Sequence, residues 1–334
     1  MSPKGRPRAL CILGMHRSGT SAVTRAFNLL GAHVGEQPDL LPESPTNHEG
    51  YWERADICSF HDRLLAVLRL RWDTALPLPD GWHRSPEVAP YREELKKIIG
   101  TAFAGHTLWA WKDPRTCMLL ELWKEILDEL GTDLVAVVVV RHPRDVAASL
   151  GRRNGFGLEK STGIWFNYTL AALRSVQNVR TAFIGYDRFL ENPVGGVQMC
   201  AEALGITLPD DTDEAFAAIR RSVRKDLRHS QATEDALEAL PGPARELYLM
   251  TRQATVEPAS RDSAFFARIE QFHQVYLAYA GFFREDLEHC EPRVQPWARM
   301  LAQSVTLRIW RITGPARRAT AYVRGKVRPP DLPE

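Results

Sequence analysis

The run Gly14-Met15-His16-Arg17-Ser18-Gly19-Thr20-Ser21 has the residue types and spacing to wrap an anion. Its glycines let successive backbone N–H groups converge, and a helix opening at its end would add a positive dipole terminus. The run nearly matches the nucleotide phosphate loop G-x-x-x-x-G-K-[S/T], but Thr20 stands where that loop has lysine, and Arg17 is its cation. A second anion point is Arg141, which ends a long apolar run and is followed by Ser149. If a helix starts near Pro143, Arg141 and Ser149 two turns along face one spot and grip one phosphate. A magnesium-dependent NTPase commonly keeps a metal-binding aspartate near such a strand end. An arginine there binds an anion instead.

Both points sit where a parallel sheet would place them. Leu10 to Leu13 and Leu134 to Val140 are apolar without alternation, which predicts strands buried on both faces. Each is followed by a helical pattern: Ser21 to Leu30, stopping at Gly31, and Pro143 to Leu150, with Pro143 and Asp145 suited to a first turn. Tyr91 to Ile99 and Leu119 to Leu130 read as amphipathic helices, Thr107 to Trp111 and Thr181 to Tyr186 as two more strands. Ala75 to Pro90, rich in Pro and Gly, reads as a loop. This alternation predicts a P-loop-like α/β fold, a parallel sheet between two helical layers. Ligands in such sheets bind beyond the carboxyl ends of the strands.

The 334 residues divide on this reading into a body, 1–290, and a helical tail, 291–334. The formal charge of +2 hides an asymmetry. Arg293, Arg299, Arg308, Arg311, Arg317, Arg318, Arg324, Lys326 and Arg328 gather in the tail, and the body is net acidic. An acidic body with a few focused cations suits a small anionic ligand and argues against nucleic acid. Within 295–328, Trp297, Leu301, Val305, Leu307, Trp310 and Ile312 interleave with arginines. That pattern fits an interfacial helix on anionic membrane, or a helix packed on the body. Apolar runs are too short for a signal peptide core or a membrane span. The cysteines, Cys11, Cys58, Cys117, Cys200 and Cys290, are odd in number and far apart, so buried thiols in a reduced cytoplasm are expected. Neither they nor the histidines show metal-type spacing, and no metal is expected.

Taken together, these residues resemble the PAPS-dependent sulfotransferase family over about residues 8 to 230. Its phosphosulfate loop, [K/R]-[S/T]-G-[S/T]-[S/T], is matched by Arg17-Ser18-Gly19-Thr20-Ser21, in the arginine form of carbohydrate and tyrosylprotein sulfotransferases. Its 3′-phosphate pair is matched by Arg141 and Ser149. Trp111-Lys112-Asp113-Pro114-Arg115 is similar to a Lys-Asp-Pro segment of tyrosylprotein and bacterial members, whose lysine supports the transferring sulfuryl group. Asn47-His48-Glu49-Gly50-Tyr51-Trp52-Glu53 is similar to the N-x-x-G-[Y/F]-[F/W]-E segment of bacterial members.

The resemblance implies PAPS as donor, adenosine 3′,5′-bisphosphate (PAP) as product, and no metal. It implies a base that takes the acceptor's proton: Glu53 first, then Glu49, then His48. Tyr186 belongs to the donor site on this reading. Arg224, Lys225 and Arg228, within Ser222 to His229, would close over the 3′-phosphate, although the R-K-G form of the cytosolic enzymes is absent. The arginine-type loop points to a glycan or glycosylated metabolite as acceptor. Tyr51, Trp52, Trp72, Trp82 and Trp165 would either line its site or pack the core. A phosphate-loop kinase or NTPase, and a nucleotide-binding module without catalysis, are the competing classes.

Overall fold

In a computed structural model, residues 6–43, 50–223, 232 and 234–290 are described, 281–290 by backbone alone. The chain divides into two compact units, Met1–Ala278 and Tyr279–Glu334. The first holds a sheet of four parallel strands in the order β2-β1-β3-β4. These are β1 (Arg8–Leu13), β2 (Leu108–Trp111), β3 (Asp133–Val140) and β4 (Arg180–Gly185). In register, Arg8 stands beside Leu108 on one side and Asp133 on the other, and Val140 beside Gly185.

The continuous apolar runs are buried on both faces. Ala9, Cys11, Leu13, Ala136, Val138 and Val140 join one core; Leu10, Ile12, Val135, Val137 and Val139 join the other. The period of two along a strand sends alternate side chains to opposite faces. Against the first core pack α2 (Ala55–Val67), α3 (Ala89–Ala102), α4 (Thr116–Glu129), α6 (Leu158–Ser175) and α10 (Gly242–Ala254). Against the second pack α1 (Thr20–Leu29), α8 (Pro193–Leu204) and α9 (Asp213–Ser222). The result is a helix–sheet–helix sandwich. α5 (Pro143–Asn154) and α7 (Tyr186–Glu191) start directly beyond strands β3 and β4, and α11 spans Ser263–Cys290.

The segment 75–90 is less irregular than its composition predicts. It contains two 3-10 turns, Trp82–Arg84 and Pro86–Val88, and α3 begins inside it. Pro86 and Pro90 each stand at the start of a helical turn, where a missing N–H costs nothing. Cys11, Cys58, Cys117 and Cys200 are free and buried. No helix among the described residues is long and apolar enough to cross a membrane. The tail, 291–334, and Cys290's side chain lie outside the description.

Candidate functional site

The carboxyl ends of β1, β2 and β3 carry the three cationic elements. Beyond β1, the loop turns at Arg17 with φ 70°, an uncommon left-handed conformation for a non-glycine residue, and again at Gly19 with φ 90° before α1 opens. Ser18 and Thr20 are buried, and the Ser18 amide donates to the Met15 carbonyl at 3.1 Å. From below, the Gly14 amide donates to the Cys117 sulfur at 3.2 Å, tying the loop to α4.

Gly19 is fixed by its neighbour as well as by its φ. A Cβ there would lie 2.1 Å from two ring carbons of Tyr186. Tyr186 in turn lies under the Arg141 guanidinium, 4.6 Å from centroid to cation. Gly19→Ala is expected to cost about 2 kcal/mol or more in urea unfolding, from backbone strain plus displacement of the ring. It is also expected to lower affinity for an anion bound at the loop. Unchanged unfolding and binding would show that the loop tolerates a side chain there.

The two anion points form one cluster. Arg17 Nε donates to Ser149 Oγ at 2.8 Å, and Arg141 Nη1 donates to the Arg17 carbonyl at 2.7 Å. Helix α5 presents Ser149 because His142 caps its start: His142 Nδ1 accepts from the Arg144 amide at 3.1 Å. Burial pushes that imidazole down to about 4, so the cap is a neutral ring at physiological pH. Burial, then the nearby Arg153 and Arg141, also lowers the Arg17 guanidinium from its ordinary value. Crowded cations of this kind favour an incoming anion.

Beyond β2, Lys112 and Glu53 are both buried and form an ion pair. Glu53 is therefore no surface carboxylate at a helix start. Lys112 Nζ also donates to Ser21 Oγ at 3.1 Å, and Ser21 Oγ donates to the Tyr51 carbonyl at 3.1 Å. Cys58 Sγ donates to the second oxygen of Glu53 at 3.4 Å. Loop, lysine and carboxylate thus touch in one chain of contacts.

Behind Lys112 lies a network that sequence reasoning missed. Asp113 is fully buried. It accepts from His61 Nδ1 at 2.8 Å, the Arg115 amide at 3.0 Å and Arg115 Nε at 2.9 Å. Trp123 Nε1 donates to His61 Nε2 at 2.9 Å. An indole can only donate, so His61 Nε2 is unprotonated and Nδ1 carries the hydrogen toward Asp113. Arg115 also pairs with Asp62. The network bolts β2, α2 and α4 together and thereby sets Lys112 against Glu53. Ligand atoms of Glu53, Cys58 and Asp113 lie within 4.8 Å of one another. Lys112 and Arg115 already supply the positive charge that a metal would bring to those carboxylates.

Arg153 is the other residue missed. It lies one turn beyond Ser149 on the same face of α5, a spacing visible in the sequence but past Leu150, where the helical pattern of the sequence ends. Its guanidinium stands over Trp72 at 5.4 Å and, electrostatically, beside Arg17, Tyr51 and Glu53. Of the aromatic candidates, Trp82 and Trp165 are buried in the core. Tyr51, Trp52 and Trp72 are partly buried, with Arg25 over Trp52 at 4.4 Å. His48, Glu49, Arg224, Lys225 and Arg228 lie outside the described residues.

No family model matches the sequence, and no curated protein matches it. Solved structures do. The sulfotransferase domain from the Synechococcus PCC 7002 olefin synthase is 19% identical, with 80% of this chain and 96% of that one covered and a TM-score of 0.37. The sulfotransferase domain from the curacin biosynthetic pathway is 15% identical, with coverages of 81% and 98% and a TM-score of 0.36. The sulfotransferase STF1 from Mycobacterium tuberculosis H37Rv is 14% identical, with coverages of 75% and 77% and a TM-score of 0.41.

Proposed function

We propose that the chain is a sulfotransferase that moves a sulfuryl group from PAPS to a hydroxyl of a glycan or glycosylated metabolite. The observation that carries this reading is the contact chain Ser21–Lys112–Glu53: an anion loop, a cation and a carboxylate meet in one buried place. A kinase loop would need its lysine at Thr20 and a metal-holding carboxylate at Arg141.

On this reading the donor's 5′-phosphosulfate lies on the amides of Gly19 to Ser21, and Arg17, Arg141 and Ser149 hold its phosphates. Tyr186 borders the nucleotide. The acceptor oxygen attacks sulfur in line, the bond from sulfur to the bridging phosphate oxygen breaks, and Glu53 takes the acceptor's proton. Lys112 and Arg17 face the charge that grows on the sulfuryl and leaving phosphate oxygens. Preorganised donors of this kind act where charge develops and need not rearrange. For Glu53 to receive a proton, its carboxylate must turn from Lys112 to the acceptor, which frees Lys112 for the sulfuryl group. The buried free thiols suit a reduced cytoplasm.

The test is transfer of labelled sulfate from PAPS onto glycan, lipid-linked and peptide acceptors, without added metal. Labelled product on a glycan supports the whole proposal. Tight binding of PAP with no transfer to any acceptor would make the chain a binding module. Magnesium-dependent ATP hydrolysis without PAP binding would sink the reading.

A further inference from the structure

One hydrogen-bonding group in the anion loop has no part in the chemistry just described. His16 precedes Arg17 in the loop and is partly buried. Among the described residues neither of its ring nitrogens makes a hydrogen bond, and Nε2 is shut from solvent. A buried polar atom left unpaired is costly, and this one lies in the anion loop itself.

Its surroundings indicate what that use is. The ring stands edge-on to Trp72, with centroids 4.9 Å apart, and to Tyr168 at 5.7 Å. Trp72 stacks on Phe156 at 5.9 Å and carries Arg153 over its face. Tyr168 holds the segment in place by donating its hydroxyl to the Trp72 carbonyl at 2.6 Å. Arg141, Ser149 and Tyr186 gather at the other anion point. Burial first, then Arg115, Arg153 and Lys112, lowers the imidazole well below its ordinary value, against a smaller opposing pull from Asp113. A further positive charge among those cations is disfavoured, so the ring does not serve as the proton taker. A neutral imidazole still offers one donor and one acceptor nitrogen.

We propose that His16 is the hydrogen-bonding partner of the acceptor hydroxyl, set beside an aromatic wall of Trp72 and Phe156. The acceptor class that fits is a hydroxyl borne on or next to a ring. The ring lies along the wall, and the hydroxyl is aimed by His16 while its proton goes to Glu53. This rests on the sulfotransferase reading of the site.

The experiment is nitrogen NMR of the histidine rings in the full chain, first saturated with PAP, then titrated with phenol and with methyl glucoside as hydroxyl probes. Loss of a signal in His16→Gln assigns the ring. One or both probes should move the His16 nitrogens, and the responding probe tells an aryl from a sugar ring. His16→Ala should weaken that probe about fivefold, the value of one hydrogen bond, and more than it weakens PAP. His16→Gln, which keeps a donor and an acceptor, should recover part of the loss. Probes that leave the His16 nitrogens unmoved overturn the proposal. So does a His16→Ala variant in which PAP binding falls as far as probe binding. A wild-type chain that binds no PAP overturns the sulfotransferase reading itself, a result seen before any hydroxyl probe is added.

Discussion

Asp113→Ala is expected to destabilise the fold by about 3–5 kcal/mol, the usual loss when a buried ion pair is broken from one side. Asp113 is fully buried, and its removal strands the His61 N–H and leaves the buried Arg115 cation with Asp62 as its one remaining carboxylate partner among the described residues. The effect carries a pH signature. Burial alone would raise the Asp113 carboxyl, but Arg115 and His61 outweigh it and hold the carboxyl below the usual carboxylate range. A folded value below the unfolded one means that ionised Asp113 adds stability above about pH 4, and that this is lost as pH falls through the folded value. Urea unfolding of wild type and variant should therefore differ most near neutrality and converge in acid. A gap that stays constant with pH would show that Asp113 acts by packing and not as an ion.

Lys112→Ala is expected to lower sulfuryl transfer about a hundredfold or more, since one preorganised donor facing developing charge is worth about 3 kcal/mol. PAP, which lacks the sulfuryl group, should bind nearly as before. The substitution also leaves Glu53 buried without its partner, so some stability goes with it. The double variant Lys112→Ala, Glu53→Gln separates the two effects. Removing the stranded carboxylate should restore stability. Because Glu53 is also the proton taker, turnover of the double variant is read against Glu53→Gln alone, below which it should fall further; equal turnover of the two would mean that Lys112 serves the fold and not the reaction. Initial-rate assays beside urea titrations decide between them.

Much of the sheet was legible because its signals are local. Leu134 to Val140 has no alternation to confuse with a helix, and the structure places β3 there, extended by one residue at its start. Gly14 to Ser21 was legible as an anion loop because the strand before it and the helix after it were legible too. The pairing inside the site was not. Lys112 and Glu53 each stood out from their own motifs, but their contact depends on α2 lying beside the end of β2, which no local pattern encodes. The same is true of His61, whose apolar flanks Phe60 and Leu64 give only a helical stripe. Its meaning comes from Asp113 and Trp123, brought in from other elements. The segment 75–90 was misjudged for the opposite reason. Proline suppresses long regular structure, yet Pro86 and Pro90 are compatible with the first residues of short turns and helices.

The position of β1 in the sheet bears on how the protein is made. The strand leaves the ribosome before both its partners, Leu108–Trp111 and Asp133–Val140. Until those segments emerge, both of its apolar faces, Leu10 and Ile12 on one side and Cys11 and Leu13 on the other, lie open to other chains. Pairing across so much sequence is slow, and unpaired apolar strands are where nascent chains aggregate. The loop that follows β1 is likewise only a tether during this interval, because Arg141 and Ser149 come off the ribosome after both partner strands. Synthesis paused before Trp111 should therefore leave a chain that chaperones recognise and that has no anion site, and release past Ser149 should pair β1 with both its neighbours and gather Arg17, Arg141 and Ser149 almost together.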